Sequence, residues 1–109
     1  MLAPRLRHLR VASVLGHEVR VALGFRPRLL GLAFLDREEV GPGLSIPRCS
    51  SVHTFGMRFS LDVFFLDESG APLAIYRRVP ARRLVCARNA ASVLEVPSAA
   101  GESSGPARP

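Results

Sequence analysis

The chain has 109 residues, enough for one small core and too few for a second domain. Its 48% hydrophobic content and mean hydropathy of +0.19 exclude a globally disordered chain. No apolar run approaches the roughly 20 residues of a membrane span. The net charge of +6 is carried by arginine alone, since all 15 basic residues are Arg and the chain has no Lys. With abundant Ala, Gly, Pro and Val, this substitution reads as GC-rich codon bias rather than as selection for phosphate contacts. The arginines run from Arg5 to Arg108 without a block of about five or six, so the nucleic-acid signal is weak.

Residues 1–9 read as a flexible basic N-terminus. The apolar stretch of roughly 7–15 residues that a signal peptide needs is interrupted by Arg10 and Arg20, so the expected location is cytoplasmic. Two short runs, Arg10 to Leu15 and Glu18 to Leu23, form an expected hairpin about Gly16-His17. A type II′ turn there would pair Val14 with Val19 and Ala12 with Val21. Pro27 can open a helix, and Leu29, Leu30, Leu32, Ala33 and Phe34 follow with helical spacing, at a cost of about 1 kcal/mol for Gly31 inside it. Gly41-Pro42-Gly43 ends this segment as a turn, with no phosphate-loop pattern.

Leu44-Ser45-Ile46 reads as a brief strand. From Val52 to Phe59 the alternation puts His53, Phe55, Met57 and Phe59 on one face, with Val52, Thr54, Gly56 and Arg58 on the other. Leu61 to Leu66 is nearly continuously apolar, as in a strand covered on both faces. Asp67 to Gly70 is a turn, Leu73 to Val79 the returning strand, Ala81 to Ala91 an irregular basic stretch and Ser92 to Val96 a last strand. Residues 98–109 read as a disordered low-complexity tail, which leaves a single β-rich domain over 10–97. The expected fold is mainly β, a small antiparallel β-sandwich or partly open barrel with one short α-helix.

The run Val52-His53-Thr54-Phe55-Gly56-Met57-Arg58-Phe59, with Gly31-Leu32, Leu61 to Asp67 and Val93-Leu94-Glu95-Val96, resembles an uncharacterised bacterial and archaeal family, domain of unknown function 192. The likeness covers roughly residues 18–97. It implies a compact, mainly β domain and implies no activity. Family members usually continue past the Val-Leu-Glu-Val segment to a closing strand, where Pro97 here leads into the tail. This difference leaves closure of the sheet an open question at the level of sequence. Many relatives also carry an export signal, which is not expected of this chain.

Asp62 is the unusual residue, because its side chain shares a face with Phe64 and Leu66, where a lone charge is costly. Glu95 poses the same question in the last strand. Arg58 is the expected partner of Asp62 and His53 a second one, so His53, Arg58, Asp62 and Glu95 form the candidate polar site. Phe55 and Met57 are its candidate pocket lining, and Arg77, Arg78, Arg82 and Arg83 a possible anion-contacting cluster. A structural network that fixes strand register competes with a functional pocket for the same residues. His8, His17, His53, Cys49 and Cys86 lie without ligand spacing, so no metal site is expected, and no cofactor motif is present. The two cysteines read as free thiols.

Three classes of function remain open, and the sequence names no catalytic residue. The favoured one is a non-enzymatic module that binds a small ligand or a protein partner. The alternatives are a small hydrolase-like or metal-assisted enzyme using Asp62, Glu95 and His53, and a weak nucleic-acid or anionic-surface binder that works through its arginines.

Overall fold

The computed structural model of the chain describes residues 1–99. Eight strands and two short helices follow in order: α1 (Pro4–Arg7), β1 (Arg10–Val14), β2 (His17–Val21), α2 (Phe25–Leu30), β3 (Leu44–Pro47), β4 (Ser51–His53), β5 (Leu61–Leu66), β6 (Pro72–Val79), β7 (Leu84–Cys86) and β8 (Ser92–Pro97). The fold is mainly β, as the alternation implies. Six strands form one open sheet in the order β1-β2-β3-β8-β5-β6, and β4 with β7 forms a separate two-stranded ribbon. Every pairing is antiparallel except that of β2 with β3. Parallel neighbours need a long crossover. Residues 22–43, which contain α2, supply it.

Several elements depart from the pattern expected of the sequence. The first hairpin turns at Leu15-Gly16 rather than Gly16-His17, so Val14 faces His17 and Ala12 faces Val19. Leu15 and Gly16 both have positive φ, the requirement of a type I′ turn, and this turn still leaves Val19 and Val21 buried. Residues 1–9 are packed rather than loose: α1 buries Ala3 and Leu6, and Arg20 donates to the Arg7 and Leu9 carbonyls. The second helix stops at Leu30 instead of passing through Gly31, whose φ of 54° and ψ of −127° end it. A 3₁₀ turn at Arg37–Glu39, closed by an Asp36/Glu39 capping box, follows before the Gly41-Pro42-Gly43 turn.

The expected strand over 52–59 is cut to Ser51–His53. Gly56 reverses the chain at a φ of 81°, and a Cβ there would lie 2.8 Å from the Phe34 ring. Buried Thr54 then ties the break to the opposite segment. Its hydroxyl donates to Pro80 O (2.7 Å) and accepts from Arg83 N–H (2.8 Å). The stretch 81–91 is accordingly not all irregular, since Leu84–Cys86 pairs with β4. Of the expected tail, Ser98 is buried and belongs to the fold, while residues 100–109 lie outside the described residues.

The sheet separates two apolar faces. Leu44, Ile46, Leu61, Val63, Phe65 and Val93 pack with Leu32, Ala33 and Val40 of the crossover and with Val52 and Met57. The opposite face gathers Val19, Leu66 and Leu94, with Val14, Phe64 and Val96 half-buried against them. Burying a side chain of this kind contributes roughly 1.5–3 kcal/mol.

Candidate functional site

Strand register decides which polar residues can meet. Residues facing one another across a ladder share a face, and successive residues alternate. In the β5–β8 ladder Asp62 opposes Val96, whereas Glu95 opposes Val63. The two carboxylates therefore point to opposite sides of the sheet.

Asp62 is held by one backbone amide and two side chains. Arg77 and Arg78 together oppose it in a β-bulge between the Leu61–Val79 and Val63–Tyr76 pairs. Its Oδ1 accepts from Arg78 N–H (2.9 Å) and Ser98 Oγ–H (2.8 Å), and its Oδ2 from the Arg77 guanidinium (3.1 Å). Arg78 has a positive φ of 54° at this bulge, so the carboxylate fixes a strained residue. Arg58, expected on Asp62, pairs instead with exposed Asp36 at 3.1 Å. The cut-short β4 places Arg58 in a turn region beside the 3₁₀ segment.

Glu95 and His53 do come together, at a cavity of about 230 Å³ that opens to solvent on one side. Its walls are Leu29 and Leu30 from α2, Ile46 from β3, Val52 from β4 and Leu84 from β7, with Gly31 and Glu95 at the inner end. Leu29 and Leu84 are exposed and frame the mouth. Glu95 is only 2% exposed, and its Oε1 has no hydrogen-bond partner among the described residues. Burial without a compensating charge pushes its carboxyl up to about 8, so at neutral pH it is mostly the un-ionised acid, able to donate and to accept. A Cβ at residue 31 would lie 3.0 Å from Oε1, so Gly31 is what leaves the carboxyl room.

His53 is committed to the backbone. Its Nδ1 accepts from Phe55 N–H (3.1 Å), which makes Nε2 the protonated nitrogen that donates to Leu29 O (2.9 Å). It thereby staples the ribbon to α2 and shapes the cavity wall. Arg28, also in the lining, donates to the Pro47 and Arg48 carbonyls at 2.9 and 2.8 Å.

The other sequence candidates lie elsewhere. Met57 is in the core, and Phe55 is exposed beside the His53 ring at 5.8 Å between centroids, outside the cavity lining. Arg77, Arg78, Arg82 and Arg83 are exposed around the bulge and the 82–83 turn, with Arg77 also over the Phe64 ring. Cys49 and Cys86 are free thiols. Among the described residues no group of three or more His, Cys, Asp or Glu is placed to hold a metal ion, and no helix is long and apolar enough to cross a membrane. Sequence reasoning missed Gly31, Arg28 and the apolar walls Leu29, Ile46 and Leu84. The signal at Gly31 was an isolated glycine in a helical pattern, which marks a close approach as readily as a propensity cost.

The model of the DUF192 family, described as "Uncharacterized ACR", matches residues 8–105. The fold is similar to that of a protein of unknown function from Novosphingobium aromaticivorans, with a TM-score of 0.65 at 16% identity over 90% of this chain and 80% of the other. No curated protein matches the chain.

Proposed function

The chain belongs to the DUF192 family, for which no activity is established, and we propose from its own geometry that it is a non-enzymatic module binding a small ligand in the Glu95 cavity. One observation carries this reading: a buried carboxyl whose Oε1 has no partner among the described residues lines a cavity of mixed polar and apolar walls that is partly open to solvent. A buried polar atom left unpaired costs about 1–3 kcal/mol, a cost that a ligand's own donor or acceptor removes on binding. Binding without turnover is supported by the company Glu95 keeps. His53 has both ring nitrogens bonded to the backbone, and Asp62 lies on the other face, so among the described residues no unbonded second acid or base lines the cavity with the carboxyl. The reading includes a cytoplasmic setting, which the two free thiols support.

A thermal-shift screen of small organic ligands tests it. At about 100 times its dissociation constant a ligand adds about 2.7 kcal/mol, on the order of ten degrees in a domain this size. Ligands that stabilise the wild type are expected to lose their effect in Gly31→Ala, whose Cβ intrudes on Glu95, and in Glu95→Leu. Stabilisation of equal size in both variants would place the binding elsewhere and contradict the proposal.

A further inference from the structure

Taking the cavity as a small-ligand site, we infer that its ligand is neutral, with an apolar body and an adjacent N–H and C=O, a carboxamide or lactam edge, read by the Glu95 carboxyl through two hydrogen bonds. The size of the space comes first. A closed cavity of about 150 Å³ accommodates benzene, so about 230 Å³ accommodates one small ring with a polar substituent. The walls come next: Leu29, Leu30, Ile46, Val52 and Leu84 offer no hydrogen bonds from their side chains and favour an apolar body, while Ser51 adds one hydroxyl beside Arg28 and His53.

The head group follows from charge. The charged and titratable groups that face the space are Glu95 from β8, Arg28 from α2 and His53 from β4, and no such group lines it from β3 or β7. On the far side of Gly31, Arg5, His8 and Arg26 line a neighbouring cavity of about 250 Å³. A cationic head would enter past Arg28 and against this cationic neighbourhood. An anionic head would be pressed against the Glu95 carboxyl, and Arg28, held on the Pro47 and Arg48 carbonyls, would have to leave them to pair with it. A neutral carboxamide meets neither penalty. In the proposed complex the acid O–H donates to the amide oxygen while the amide N–H donates to the acid carbonyl.

Three probes of one size separate the possibilities: benzamide, benzylamine and benzoate, titrated into the full chain at pH 6 and pH 9.5 with amide shifts followed by NMR. Benzamide is expected to perturb the amides of Gly31, Val52, Leu84 and Glu95. Its affinity should fall about thirtyfold at pH 9.5, where little of an acid titrating near 8 keeps its proton. Glu95→Gln, which keeps a donor and an acceptor, should bind benzamide equally at both pH values, and Glu95→Leu should not bind it. Tighter binding of benzylamine or benzoate at the same amides would overturn the ligand class and leave the cavity proposal standing. Benzamide binding that ignores pH in the wild type would remove Glu95 from the recognition. Silence from all three probes at those amides would overturn both.

Discussion

Asp62 accepts three hydrogen bonds, while the Oε1 of Glu95 has no partner among the described residues. Both looked alike in the sequence, as carboxylates in apolar strands, and only their partners distinguish them. Asp62 behaves as a structural clamp, and Glu95 stays protonated because nothing replaces the water it lost. The sign of the pH dependence follows. Glu95 is raised from 4.5 to about 8, so its folded form keeps a proton that the unfolded chain has released between those values. Its stability is fully present below about pH 4.5 and is lost as pH rises towards 8, by up to about 1.4 kcal/mol per pH unit. In Glu95→Gln this contribution should vanish. Denaturant melts from pH 4 to pH 9 are expected to show the wild type weakening relative to the variant, and parallel profiles would contradict the assignment.

Elements marked by short apolar runs between turn residues were legible from the chain: β3, β5, β6 and β8 fall where Leu44–Ile46, Leu61–Leu66, Leu73–Val79 and Ser92–Val96 put them. Elements that end at a backbone device were not. Alternation from His53 to Phe59 imitates a strand, but a reversal at Gly56 and a clamp by Thr54 lie outside any periodicity. The β6 bulge is of the same kind, because a positive φ at Arg78 leaves no mark in hydrophobicity. Asp62→Ala removes the acceptor that holds this bulge and the end of β8. It should destabilise the domain by about 1–3 kcal/mol. Ligands of the Glu95 cavity should still bind to the folded variant, since Asp62 lies across the sheet. Loss of that binding with the fold intact would tie Asp62 to the site.

At the scale of the molecule, the arginines suggested a basic surface when read along the chain, and in space several of them are braces. Arg5 reaches Ala33 O, Arg20 the Arg7 and Leu9 carbonyls, Arg28 those of Pro47 and Arg48, and Arg37 that of Ser98. A guanidinium fork suits paired carbonyls in a way that a lysine ammonium does not. Arg20→Ala should therefore lower the melting temperature by several degrees and remove exchange protection from the Leu6 and Leu9 amides. Unchanged protection there would show that α1 holds without the brace. Composition thus located the charge, but only the folded chain separates its scaffolding share from its solvent-facing share. The candidate site was legible by half: His53 and Glu95 share a cavity, and the residues that make it a cavity come from the crossover and the ribbon. Neither their approach nor the parallel β2–β3 pair that brings the crossover over the sheet is encoded in local pattern.

The Glu95 cavity depends most directly on the state of its one carboxyl. The carbon-13 resonance of the Glu95 side chain, followed by NMR from pH 4 to pH 10 in the ligand-free protein, is predicted to titrate near 8. A midpoint in the ordinary glutamate range would mean that the carboxyl is solvated or paired in solution, and the Glu95 cavity could not then be the neutral, unpartnered site described.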